Sequence, residues 1–275
     1  MPVRKGTATV LTCALTAALA LSGCTTLARP SSGTAPPSVQ DAADGRGGRD
    51  GQSGHDGQDG RDRREGARPA PRQQPLRTAG RLPGIGPLTY ARVPDGTSQA
   101  LVVSGKGADD NVVTAVLHER GPDGRWRPVA GPWSGHNALR GWTGDHVAGD
   151  LRSPTGVFRI GDAGGRLPDP GARIPYDQDE EFAVSGTGFL GESLEGSFDY
   201  VVAIDYNRIP GTTPLNKERP LGSERGGGVW IHVDHGGPTQ ACVSLPREDM
   251  AELLRALDPA REPVVVMGPA GELAR

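Results

Sequence analysis

The sequence holds three cysteines, Cys13, Cys24 and Cys242. The first two lie in an N-terminal stretch that reads as an export segment, so the exported domain keeps Cys242 alone, with no disulfide partner. A lone thiol in an oxidising compartment is either buried and inert or kept for its reactivity. The residues before it favour reactivity. Val229, Ile231 and Val233 alternate with Trp230 and His232, as on the two faces of a strand, and Asp234-His235-Gly236-Gly237-Pro238 must then leave that strand. Thr239-Gln240-Ala241-Cys242 follow and lead towards a helix near Pro246. Strand, glycine-rich turn, thiol and helix in that order can fold His232 back beside Cys242 as the base that a cysteine nucleophile needs. His235 either orients such a site or faces solvent, the usual place for a histidine in a Gly-rich turn. A zinc site is the competing reading, since His232, Asp234, His235 and Cys242 are all ligand types. However, the two histidines point to opposite faces if the strand continues, and no Cys-x-x-Cys or His-Glu-x-x-His spacing occurs.

The elements that would position these groups are mostly strands. Short β-rich runs over 101–103, 112–117, 125–129, 155–160, 200–204, 229–233 and 264–267 are separated by Gly, Asp and Pro. Such spacing predicts a sandwich or barrel. One helix stands out: Met250, Leu253, Leu254 and Leu257 share a face, Pro246 suits the first turn, and Asp258-Pro259 stops it. Trp126, Trp133 and Trp142 are expected as core or loop anchors.

Several blocks resemble the L,D-transpeptidase catalytic domain of the YkuD type. His232-Val233, Gly237-Pro238-Thr239, Cys242-Val243 and Leu245-Pro246 are similar to the pattern of its exported actinobacterial lipoprotein members. Residues 153–161 resemble the family's Thr-Pro-x-Gly-x-Phe strand, and residues 200–207 lie between the two blocks in the expected order. The resemblance spans roughly residues 85–270. It implies a YkuD-like β-sandwich or barrel with Cys242 as nucleophile and His232 as general base. The backbone N–H groups of Ala241 and Cys242 would face the oxyanion, with Gln240 as a further donor and His235 in a lesser role. Tyr206, Asn207 and Thr239 are expected to contact substrate, although ordinary turn chemistry at a strand end explains Tyr206 and Asn207 equally well. The implied reaction releases D-Ala from a peptidoglycan tetrapeptide stem and passes the acyl group to an amine of a neighbouring stem, giving a 3–3 cross-link without a cofactor. Two alternatives stay open: a wall-binding lipoprotein of the same fold, and a carboxypeptidase that uses water as acceptor. The sequence departs from the family's Ser-His-Gly-Cys, having Thr239-Gln240-Ala241-Cys242 and then Ser244. If position 241 needs positive φ, alanine there distorts the oxyanion site.

Arg4 and Lys5 precede an apolar run over 8–21 that ends in Leu21-Ser22-Gly23-Cys24. This resembles a bacterial lipobox, with residues 1–23 as signal peptide and Cys24 as the lipidated residue. Residues 24–84 are rich in Gly, Pro, Arg and Asp with few large apolar side chains, the composition of a disordered tether. As a flexible chain it would span about 40–45 Å. Residues 85–275 would form the catalytic domain. The division accounts for a chain of 275 residues that is only 35% hydrophobic, with 42 Gly and 25 Pro. A net charge of −3 supplies no basic field for nucleic acid. With the lipobox and the family resemblance, the chain is expected to be anchored to the membrane and facing the cell wall, with stem peptides as its partners, and to be a monomer.

Overall fold

The computed structural model describes residues 80–275. The predicted signal segment, Cys24 and the tether up to residue 79 lie outside the described residues.

The strands are β1 (Gln99–Gly105), β2 (Val112–Arg120), β3 (Trp126–His136), β4 (Trp142–Thr143), β5 (Ser153–Pro154), β6 (Gly156–Arg159), β7 (Ala163–Gly165), β8 (Tyr176–Gln178), β9 (Val201–Ala203), β10 (Trp230–Val233), β11 (Val243–Leu245) and β12 (Val264–Pro269). The helices are α1 (Pro87–Tyr90), α2 (Arg247–Ala256) and α3 (Ala270–Leu273). Ten strands form one mixed sheet in the order β6-β12-β1-β2-β3-β11-β10-β9-β7-β8, and β4 pairs with β5 in a separate ribbon. The β-dominated architecture with one amphipathic helix near the C-terminus is the one expected from the sequence.

Strand β1 explains how the sheet is buried. Leu101 and Val103 join the main core with residues of β2, β9, β10 and β11, so strands far apart in the sheet share one interior. Ala100 and Val102 point the other way, into a second core closed by Leu82, Ile85, Trp126 and Leu273. The partner β12 divides likewise, with Val265 and Met267 in the first core and Val264 and Val266 in the second. A strand covered on both faces reads as a continuous apolar run, which is why 101–103 and 264–267 are visible in the sequence. Leu82 is 1% exposed, so the packed domain begins just before the predicted boundary at residue 85. Trp126, Trp133 and Trp142 are all buried.

Helix α2 buries Met250, Leu253 and Leu254, with Leu257 closing the stripe at its C-cap. Pro246 occupies the N-cap rather than the first turn, and Glu248 and Asp249 in the first turn oppose the helix dipole. The helix packs against β3 and β10 and follows β11 directly through Pro246.

Candidate active site

Strands β10 and β11 run parallel, with Ile231 opposite Val243 and His232 opposite Ser244. Residues 234–242 must therefore return along the sheet from the end of β10 to the start of β11, which carries Cys242 back to Trp230 and into the cavity that His232 also lines. Two anchors hold this return. Asp234 Oδ1 accepts hydrogen bonds from His136 Nδ1 (2.9 Å) and Ser244 Oγ (2.8 Å). Burial pushes the Asp234 carboxyl up, but those two donors outweigh it and hold the pKa below its usual value. Further along, Thr239 N–H donates to the Asn137 carbonyl and Leu139 N–H to the Thr239 carbonyl, both at 2.9 Å.

The Cys242 carbonyl is fixed by two hydroxyls, Thr239 Oγ1 at 2.7 Å and Ser153 Oγ at 3.1 Å. Among the described residues, no hydrogen bond is donated by the N–H groups of Gln240, Ala241 or Cys242. These donors are therefore free for an incoming oxygen. Ala241 is not among the residues with positive φ, so its Cβ brings none of the strain considered above. Gln240 is exposed, and with Thr239, Ala241 and Cys242 it lines a cavity of about 470 Å³.

Both histidines line the same cavity. His232 is 3% exposed, and its Nδ1 lies 2.9 Å from the Val233 carbonyl. A carbonyl only accepts, so Nδ1 carries the proton and Nε2 keeps the lone pair. Phe198 packs edge-on against both Trp230 (5.0 Å) and His232 (5.2 Å), on the face that the alternation assigns to that pair. His235 differs from the expectation of a solvent-facing residue. The strand ends at Val233, and the turn brings the His235 ring parallel to that of His232, with centroids 5.8 Å apart and planes at 10°. The side chain is 5% exposed, and its Nδ1 meets Glu192 Oε1 at 3.1 Å. Asp234 turns instead to His136 and Ser244. Among the described residues, no three His, Cys, Asp or Glu side chains converge on one metal position.

Sγ receives the Trp230 N–H at 3.4 Å and faces the Gly228 carbonyl at 3.7 Å. Although the residue keeps some exposure to the cavity, burial pushes the thiol up to about 11. Burial also lowers His232 to about 4, opposed in part by the Val233 carbonyl. The resting pair is thus a neutral thiol and a neutral imidazole.

Tyr206 and Asn207 do not reach the cavity. The Tyr206 hydroxyl lies against the His146 (3.1 Å) and Arg225 (2.9 Å) carbonyls, its ring edge-on to His146 and Phe158. Asn207, 6% exposed, donates to the Gly222 and Gly226 carbonyls and accepts from Leu221 N–H. All three hydrogen bonds of its side chain go to the loop 219–228, whose glycines Gly226–Gly228 wall the cavity. These two residues support the loop behind the cavity and are not among its lining residues. Sequence reasoning missed Glu192 and His136, which carry no local pattern. It also missed the roles of Ser153 and Gly226–Gly228, although the latter stand as an open glycine run just before β10.

A family model, the YkuD L,D-transpeptidase catalytic domain, matches residues 108–266. The chain belongs to this family. Comparison with curated proteins and with solved structures gave no significant match. The matched span runs from the connection between β1 and β2 into β12, and so holds the cavity, both histidines and Cys242. The cavity is therefore the candidate active site of an L,D-transpeptidase-type domain.

Proposed function

We propose that this protein is an exported, lipid-anchored L,D-transpeptidase that forms 3–3 peptidoglycan cross-links through an acyl-enzyme on Cys242. The observation that carries the reading is that the thiol and a histidine with its Nε2 left as base open on one cavity, beside three unpaired backbone donors.

The chemistry follows from the resting state. Burial holds the proton on Sγ and keeps His232 neutral, so both shifts disfavour moving the thiol proton to the imidazole before any attack. Free thiolate is therefore scarce, and the proton leaves as the C–S bond forms. Sγ attacks the carbonyl of the penultimate stem bond, His232 Nε2 takes the proton, and the N–H groups of Ala241 and Cys242 receive the oxyanion, with Gln240 within the same wall. The C–N bond then breaks, His232 returns its proton to the leaving D-Ala amine, and a thioester remains. An amine of a second stem attacks that thioester, and the new amide is the cross-link. No step requires a cofactor. Cys24 would hold the domain at the membrane through its lipid, with the tether giving it reach into the wall.

The test incubates the purified exported chain with a stem tetrapeptide and a second stem bearing a free amine, and identifies products by mass. The expected product is the amide-linked dimer with loss of one D-Ala. Free tripeptide alone would assign the protein to the water-using carboxypeptidases. Unchanged substrate would leave a wall-binding lipoprotein.

A further inference from the structure

The cavity holds a second imidazole that the acylation chemistry above does not use. We propose that His235, oriented by Glu192, is the base that takes the proton of the acceptor amine when the acyl-enzyme is discharged; this rests on the acyl-enzyme reading of Cys242.

Three observations carry it. First, the tautomer is set as it is for His232: the Glu192 carboxylate accepts at 3.1 Å, so His235 Nδ1 carries the proton and Nε2 is the nitrogen left over. The nearest protein groups around the carboxylate hold it ionised: its own backbone N–H, the Leu190 N–H and His235 together keep its pKa below the usual value. Second, both rings line the cavity and lie stacked, and among the described residues the hydrogen bond recorded for the His235 ring is the one from Nδ1 to Glu192, which leaves Nε2 for a group entering the cavity. Third, space for Glu192 is built in. Its carboxylate lies against Gly188 and Gly237, and a Cβ at either position would collide with it. Glu192 belongs to a small hairpin over 186–194, joined by the Thr187–Ser193 bridge, and Gly188, Phe189 and Leu194 of that hairpin wall the cavity. The hairpin thus delivers the carboxylate to His235 while closing one side of the site.

The two half-reactions make different demands. In acylation the proton to be moved is on Sγ, and His232 serves it. In discharge the proton is on the nitrogen of a neutral acceptor amine entering from the cavity. As that nitrogen bonds to the thioester carbon, its proton passes to His235 Nε2; the C–S bond then breaks as Sγ takes a proton from a water molecule in the cavity, since burial disfavours a free thiolate there. His235 returns its own proton to the hydroxide that remains, which restores both groups.

The test separates the half-reactions by intact-protein mass, using the full exported chain, stem tetrapeptide as donor and glycinamide as acceptor amine. In His235→Asn the side-chain amide can still donate to Glu192, which preserves the link to the hairpin while removing the base. Discharge by glycinamide should fall by roughly 10²–10⁴-fold, the usual range for a positioned general base, and acylation by less than about tenfold. In His235→Ala, added imidazole should restore discharge, an effect that a structural role would not give. Glu192→Gln should slow discharge in the same direction by less. Equal losses in both half-reactions, unchanged discharge, or a defect in His235→Ala that imidazole does not relieve would each overturn the assignment of His235 while leaving Cys242 acylation intact. Absence of acylation in the wild type would instead overturn the function on which it rests.

Discussion

A thiol held near pKa 11 beside an imidazole held near 4 should respond very differently to an alkylating reagent and to an acyl donor. Alkylation requires thiolate that already exists. At pH 7 a group of pKa 11 is ionised to about one part in 10⁴, against about 3% for a free cysteine near 8.5, a deficit of roughly 300-fold. The more basic thiolate is also the better nucleophile, and a Brønsted coefficient of about 0.4–0.5 over 2.5 units returns roughly 10–20-fold. Iodoacetamide should therefore label Cys242 roughly 15–30-fold more slowly than a free thiol at pH 7, before any steric restriction. The rate should climb about tenfold per pH unit to near pH 11. Replacing His232→Ala should hardly alter this slow labelling, because the base acts only as a carbonyl is attacked. The assay is the pseudo-first-order alkylation rate across pH 6–11, read by protein mass. A fast rate with a plateau near neutrality, lost in His232→Ala, would show a preformed thiolate–imidazolium pair and refute the reasoning.

Other consequences can be measured separately. Because burial depresses His232 from 6.5 to about 4, its contribution to stability is complete above pH 6.5 and is lost as pH falls towards 4; the change is about 3 kcal/mol, and urea melts at pH 7 and pH 4 should show it, reduced in His232→Ala. Asn207→Ala removes three hydrogen bonds from a buried side chain, and should destabilise the domain by roughly 2–4 kcal/mol and slow acylation through the loosened glycine wall; an unchanged melting temperature would contradict that role. Ser153→Ala removes one of two donors to the Cys242 carbonyl and also the acceptor of the buried Ala138 N–H, so it should cost roughly 2–3 kcal/mol in denaturant melts, against about 1 kcal/mol for Thr239→Val; a double variant no less stable than Ser153→Ala alone would count against the two-hydroxyl clamp. Cys24→Ala should move the protein from the membrane fraction to the soluble exported fraction, and unchanged detergent partitioning would reject lipidation.

The parts of the fold legible in the sequence are those whose own residues carry the signal. Met250, Leu253, Leu254 and Leu257 bury one helical stripe, and Val229, Ile231 and Val233 all enter the main core while Trp230 and His232 turn away from it. Strand β3 is longer than its sequence signal because Gly131 and Pro132 interrupt the pattern; pairing with β2 continues past them after a register shift. Strands β7 and β11 escape notice for a different reason. Each has three residues, β7 is Ala-Gly-Gly, and both are held by neighbours rather than by β propensity. In the site, Cys242 and His232 stand close in sequence and frame a glycine turn, so they are visible together. Glu192 meets His235 only because a distant hairpin folds over the cavity, and His136 meets Asp234 only through the pairing of β3 with β11. Tyr206 and Asn207 look like surface chemistry at a strand end, yet tertiary contacts consume their polar atoms. Long-range contact, which local patterns do not encode, accounts for each of these differences.

The most direct test of the central claim is the intact mass of the exported chain seconds after mixing with a stem tetrapeptide in the absence of any acceptor amine. The account requires a gain equal to the tripeptide acyl group, carried on Cys242, with one equivalent of terminal D-Ala released and no gain in Cys242→Ala. A wild-type protein that keeps its original mass while the stem stays intact would contradict it.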